Sequence, residues 1–202
     1  MAKTPSNMVP LGTPAPDFSL PDARAFATGA TLSDLPRVSR SDLDGAPALL
    51  VMFVCNHCPF VVHIRTPLAR LARAWQDRGV AVVAIASNDF ARYPQDGPEA
   101  MAALARELDL SFPYLVDADQ RVATAYQAAC TPDFFLYDSA RRLVYRGQLD
   151  SARPGNDVPV TGEDLGRAIE AVLTGAPPLA EQTPSLGCNI KWRPGHEPPW
   201  FG

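Results

Sequence analysis

The chain has 202 residues, 47% of them hydrophobic, and a formal net charge of −4. That is enough apolar material for one well-buried core, so one domain over residues 1–202 is expected. The acidic balance excludes nucleic acid or an anionic membrane surface as partner, and no apolar run approaches the roughly 20 residues a spanning helix needs.

The start, Met1-Ala-Lys-Thr-Pro-Ser-Asn-Met-Val-Pro10, lacks an apolar stretch of secretory-signal length, and a cytoplasmic protein is expected. Four cysteines are too few for a disulfide scaffold. In a reducing compartment a Cys-x-x-Cys pair points to redox chemistry or metal.

Residues 1–47 are rich in Pro, Asp, Ser and Gly and read as loop with one turn of helix. A brief alternation at Asp17-Phe-Ser-Leu20 is enough for a short edge strand. Residues 48–53, Ala-Leu-Leu-Val-Met-Phe, form an unbroken apolar run that suits a strand covered on both faces. Cys55-Asn-His-Cys-Pro59 follows. Proline at the first helical position loses no hydrogen bond, which makes Cys58 the N-cap of the next helix.

In that helix Phe60, Ile64, Leu68, Leu71 and Trp75 recur at helical spacing, and Pro67 should kink it. Arg78-Gly79 stops it, and residues 80–86 make a second buried strand, completing a right-handed βαβ unit. After a loop at 87–97, Pro98 starts a helix with Met101, Leu104 and Leu108 on one face. Residues 112–116 are a short strand, and Asp117 or Asp119 caps a helix ending at Tyr126. Residues 133–138 and 143–148 form a hairpin. Thr161-Gly-Glu-Asp164 has the form of a capping box, with Leu165, Ile169, Val172 and Leu173 at helical spacing before Gly175. The core thus spans about residues 11–175. Residues 176–202 carry too many prolines for a regular element, but Leu186, Ile190, Trp192 and Trp200 predict a tail lying against the domain.

A cysteine at a helix N-terminus is a way to make a reactive thiolate, because converging backbone N–H groups and the helix dipole favour negative charge. An unperturbed thiol has a pKa of about 8.5, and a helix terminus worth about 1 kcal/mol lowers it by a little under one unit. That leaves less than half ionised at neutral pH, so a second donor is needed, and the adjacent His57 could supply one when protonated. The alternative for Cys58 is a buried, inert thiol. Cys55 can close a disulfide with Cys58 if the loop turns; a metal pair and an unpaired loop thiol are the alternatives. His63 falls off the apolar stripe and reads as solvated. Cys130 is a third thiol near Cys58 or a plain core cysteine. Cys188 either reaches back as a resolving thiol or packs with Trp192. The loop at 150–160 lies at the end of the sheet where ligands gather.

The element order, with Cys58 after the first core strand and Thr131-Pro132 before the hairpin, resembles a thioredoxin fold. The opening Gly12-Thr-Pro-Ala-Pro-Asp-Phe-Ser-Leu20 is similar to that of peroxiredoxins and TlpA-type thiol-disulfide oxidoreductases. The strings Cys55-Asn-His-Cys-Pro-Phe-Val61, Cys130-Thr-Pro-Asp-Phe-Phe135 and Gly187-Cys-Asn-Ile-Lys-Trp192 are similar to peroxiredoxin-like thioredoxin-family proteins of bacteria. The resemblance implies a mixed α/β sheet flanked by helices, a peroxiredoxin-type N-terminal extension and an α-β insertion. It also implies a cis Pro132 opposite the active cysteine, with Thr131 offering backbone groups to an extended substrate. A histidine just before the second cysteine of such a pair is found in strongly oxidising disulfide oxidases, which suits His57.

Two departures matter. Counting from Phe53, the first active cysteine of thioredoxins falls on Cys58, and the second on Val61, which has no sulfur; Cys55 takes the resolving part from upstream. The peroxiredoxin pattern Pro-x-x-x-Thr-x-x-Cys, ended on Cys58, puts Cys55 at the threonine and Val51 at the proline. The expectation is a thiol-disulfide oxidoreductase with Cys58 as nucleophile, acting on a protein or small-molecule disulfide or thiol, with thioredoxin or glutathione as reductant. No cofactor or resident metal is expected, and a homodimer stays open. The rivals are a thiol peroxidase, with Cys55, Cys130 or Cys188 resolving, and a metal-binding module like the Sco-type copper chaperones, using Cys55, His57 and Cys58.

Overall fold

Six consecutive apolar residues can all be buried only if both faces of their strand are covered. In a computed structural model, which describes residues 3–201, the run at 48–53 meets that condition. The elements before it are short: β1 (Lys3–Pro5), β2 (Ser19–Pro21), three 3₁₀ turns and β3 (Arg37–Ser39), which pairs with β2. The run itself is β4 (Ala48–Phe53), followed by α1 (Pro59–Gln76) and β5 (Val80–Ala86). Next come α2 (Pro98–Glu107), β6 (Tyr114–Val116) and α3 (Arg121–Tyr126). The chain closes with β7 (Cys130–Thr131), β8 (Asp133–Asp138), β9 (Leu143–Gly147), α4 (Glu163–Thr174) and β10 (Leu186–Asn189).

The central sheet has the order β6-β5-β4-β8-β9, with β4, β5 and β6 parallel and β8 and β9 antiparallel. This mixed sheet flanked by helices is the thioredoxin-like fold that the resemblance implies. Alternation along β4 divides the core. Leu50 and Met52 join Ile64, Leu68 and Trp75 of α1 and Leu165 and Ile169 of α4. Leu49, Val51 and Phe53 join Val122 and Tyr126 of α3, Phe18 and Leu20, and Ile190 and Trp192 from the tail. Burying each such side chain is worth roughly 1.5–3 kcal/mol, so the tail's two large residues contribute to the second layer as α3 does.

Several local expectations change. The C-terminal tail contains a strand: β10 is the middle of a second sheet, β1-β10-β7, antiparallel throughout. Its hydrogen-bond partners are β1 near the N-terminus and β7 at residues 130–131, both distant in sequence, so local composition gave no sign of it. The capping box at 161–164 does not form; Gly162 is the N-cap of α4. Asp150 replaces the box, its carboxylate accepting from the amides of Thr161 (2.8 Å) and Gly162 (2.6 Å). His63 is half-buried, with its Nε2 sealed from solvent. Asp117 and Asp119 both serve α3, through the amides of Val122 and Ala123 and of Arg121 respectively. Among the described residues no helix is long and apolar enough to cross a membrane.

Candidate functional site

The parallel strand β4 ends at the sheet edge where α1 begins, and the loop between them carries Cys55, Asn56 and His57. Cys58 is the N-cap of α1, with Pro59 at the first helical position. Its backbone is extended (φ −63°, ψ 124°), which turns the chain from strand into helix. The side chain is fully buried. In its thiol form Cys58 donates to the carbonyl oxygen of Thr131 at 3.1 Å. Its Sγ lies 3.0 Å from Cys188 Sγ. Cys55 Sγ is 3.4 Å from the Thr131 hydroxyl. Thr131–Pro132 is a cis peptide bond, placed against Cys58 as the resemblance implies.

These neighbours favour the charged form of Cys58, whose pKa is lowered to about 4. The Cys55 thiol, as hydrogen-bond donor, has the largest influence. Cys188, the Val61 amide and Thr131 add to it against the cost of burial. The sulfur makes no full capping hydrogen bond, so Val61 and the helix terminus assist rather than dominate. The partners respond oppositely. Cys55 is raised well above the ordinary thiol value by its hydrogen bond to Cys58, by burial and by the charge of Asp96. Cys188 is raised to about 12 by burial and by Cys58. Negative charge therefore collects on one sulfur of the three.

His57 is held elsewhere. Its Nδ1 is 2.6 Å from Asp96 Oδ2, its exposure is 22%, and its ring stacks on Tyr93 with an interplanar angle of 2°. Asp96 is a hub: its carboxylate also accepts from the amides of Asn56 (2.9 Å) and His57 (3.3 Å) and from Asn88 Nδ2 (2.7 Å). The Tyr114 hydroxyl donates to Asn56 Oδ1 at 2.9 Å. Asp96 thus fixes the loop that presents Cys55 and Cys58. Reading the sequence missed it; the signal lay in an aspartate of the loop between β5 and α2, which follows the carboxyl end of a parallel strand.

The ligand atoms of Cys55, His57 and Asp96 lie within 4.8 Å of one another and could hold a metal ion. Among the described residues the group that forms includes Asp96, in place of the Cys58 expected from the sequence. Cys130 is buried, with its Sγ 3.6 Å from the Pro132 carbonyl oxygen, and burial followed by the charge of Asp133 pushes its thiol well up. From the 150–160 loop, Asp150 and Arg153 share a small recess with Phe60, Pro132 and Leu186, beside the cis-proline.

The chain matches the AhpC/TSA family over residues 11–146. It is similar to a hypothetical protein from Sinorhizobium meliloti 1021, at 50% identity and a TM-score of 0.89, over 95% of this chain and 100% of that one. An uncharacterized conserved protein from Geobacillus kaustophilus is similar at 48% identity and a TM-score of 0.90, over 96% and 98% of the two chains. A secreted disulfide oxidoreductase of Mycobacterium tuberculosis, homologous to E. coli DsbE, shares the fold at 18% identity and a TM-score of 0.54, over 76% and 95%. No curated protein matches.

Proposed function

The chain belongs to the AhpC/TSA family, and from that membership and the thiol cluster at the start of α1 we propose that it is a thiol-disulfide oxidoreductase acting through Cys58. The observation that carries this reading is a buried N-cap sulfur whose ionisation is favoured by two protonated thiols and a helix start. A thiolate at neutral pH is the form that attacks a disulfide. Cys58 attacks one sulfur of a protein or small-molecule disulfide, forming a mixed disulfide and releasing the other sulfur as a thiolate that takes up a proton. A second thiol of the chain then displaces the substrate; Cys55 and Cys188 are the two in reach. Because Cys58 is buried under β10, the C-terminal strand has to lift for the first step. Thr131 and Pro132 position the incoming chain, and His57 with Asp96 sets the loop. Each cycle leaves the enzyme oxidised, so a dithiol such as thioredoxin, or glutathione, restores it. The cytoplasm is the setting in which that supply exists.

Turnover of a model disulfide by Cys58→Ser at the wild-type rate would rule the reading out; complete loss is expected.

Membership of the AhpC/TSA family also supports a thiol peroxidase, in which Cys58 is oxidised to a sulfenic acid. Stopped-flow reaction with hydrogen peroxide separates the two, since a rate no better than a free thiol's removes the peroxidase. The Cys55, His57 and Asp96 cluster supports a metal-binding module. Stoichiometric Zn(II) or Cu(I) binding that is lost in His57→Ala would favour it.

A further inference from the structure

The middle strand of the second sheet sets a cysteine against Cys58. Cys188 of β10 pairs with Lys3 of β1 on one side and with Thr131 of β7 on the other. That register leaves 3.0 Å between the Cys188 and Cys58 sulfurs, so a disulfide of about 2.05 Å needs a closure of roughly 1 Å. Gly187 permits the approach. A Cβ there would lie 2.1 Å from the Thr131 carbonyl oxygen and 2.6 Å from its carbon, so any side chain pushes β10 off β7. The strand is pinned at both ends. Before it, the Ser185 amide donates to Ser6 Oγ (2.8 Å) and its hydroxyl to the Gly147 carbonyl (2.6 Å). After it, the Ile190 amide donates to the Ala129 carbonyl (3.3 Å) and the Lys191 amide to Asn88 Oδ1 (2.8 Å).

We propose that Cys188, carried by β10, is the resolving thiol for Cys58. This rests on the thiol-disulfide reading above. The Cys188 thiolate attacks Cys58 Sγ in the mixed disulfide; the Cys58–Cys188 bond forms and the bond to the substrate sulfur breaks. The substrate leaves as a thiolate and takes the proton given up by Cys188. Over both steps the substrate disulfide gains two electrons and two protons, and Cys58 and Cys188 lose them. An external dithiol reverses the change on the enzyme.

Geometry separates Cys188 from its rival: its sulfur lies 3.0 Å from Cys58 Sγ, whereas Cys55 Sγ is also engaged by the Thr131 hydroxyl at 3.4 Å. Cys55 keeps the part of hydrogen-bond donor to the attacking thiolate.

The test uses the full chain, oxidised with a model disulfide and mapped by mass spectrometry of unreduced digests. A Cys58–Cys188 cross-link is expected in the wild type and in Cys55→Ser. Cys188→Ser should accumulate the Cys58 mixed disulfide, with a lifetime longer by about tenfold or more because an intramolecular thiol is lost. Gly187→Ala, which displaces β10 without removing a thiol, should lengthen that lifetime in the same direction. A Cys55–Cys58 disulfide in the wild type, with Cys188 still reduced, overturns the assignment and leaves the thiol-disulfide reading standing. Failure of wild-type Cys58 to form any adduct overturns both.

Discussion

On one side of Cys58 the chain supplies Cys55, Asn56 and His57 from a single loop, tied down by Asp96. On the other it supplies Thr131 and Cys188, from strands brought together by pairing between distant parts of the chain. The first side is rigid because one buried carboxylate collects four hydrogen bonds. The second is held by β10, through pairings with β1 and β7 that are three and two residues long and through the hydrogen bonds of Ser185, Ile190 and Lys191 at its two ends. The side near in sequence is therefore fixed by one local hub, and the distant side by contacts that join separate parts of the chain.

The largest expected effect tests the rigid side. Asp96→Ala leaves the buried donor of Asn88 and the part-buried donors of Asn56 and His57 without their acceptor, and should cost about 3 kcal/mol of stability in urea unfolding. A loss below about 1 kcal/mol would mean that the loop is held by something else.

A middle-sized effect compares the two flanking thiols directly. Thiolate absorbance should show a step for Cys58 near pH 4 that disappears in Cys58→Ser. Since Cys55 is the largest influence on that ionisation, Cys55→Ala should move the step upward further than Cys188→Ala does. The reverse order would transfer the principal donor to β10.

The smallest effect concerns Asp133, just after the cis-proline. Burial raises its pKa from the ordinary 3.8 to about 7. Between those values the folded state holds a proton that the unfolded state has released, so stability falls as pH rises and the loss is complete above about 7. Asp133→Asn should flatten this decline in thermal melts between pH 5 and pH 8, a range chosen because it brackets a titration near 7. An unchanged slope would mean that other groups set the dependence.

Much of the fold was legible in the residues. The apolar run at 48–53 demanded cover on both faces, Cys-Pro at 58–59 marked a helix start, and Arg78-Gly79 marked its end. Rules of burial and capping act within a few residues, and here they were enough. The candidate site was legible in part. Cys55, His57 and Cys58 could be picked out by type and spacing, but the spacing gave no sign that His57 would turn to Asp96. Proline count argued against structure in the tail, yet Pro184 and Pro194 only flank β10, whose hydrogen bonds come from β1 and β7. Asp150 displaced the capping box at 161–164 for the same reason, since a carboxylate from outside the helix met the amides of Thr161 and Gly162 that lead into it.

Residue order alone therefore determined that this protein buries a strand leading into a cysteine-capped helix, because apolar periodicity and the proline after Cys58 leave the local backbone little else to do. Which second sulfur lies within 3.0 Å of Cys58 was decided by tertiary structure. Strand register pairs Cys188 with Thr131 and Lys3 and so brings it to Cys58, and the hydrogen bonds that set it belong to no single stretch of the chain.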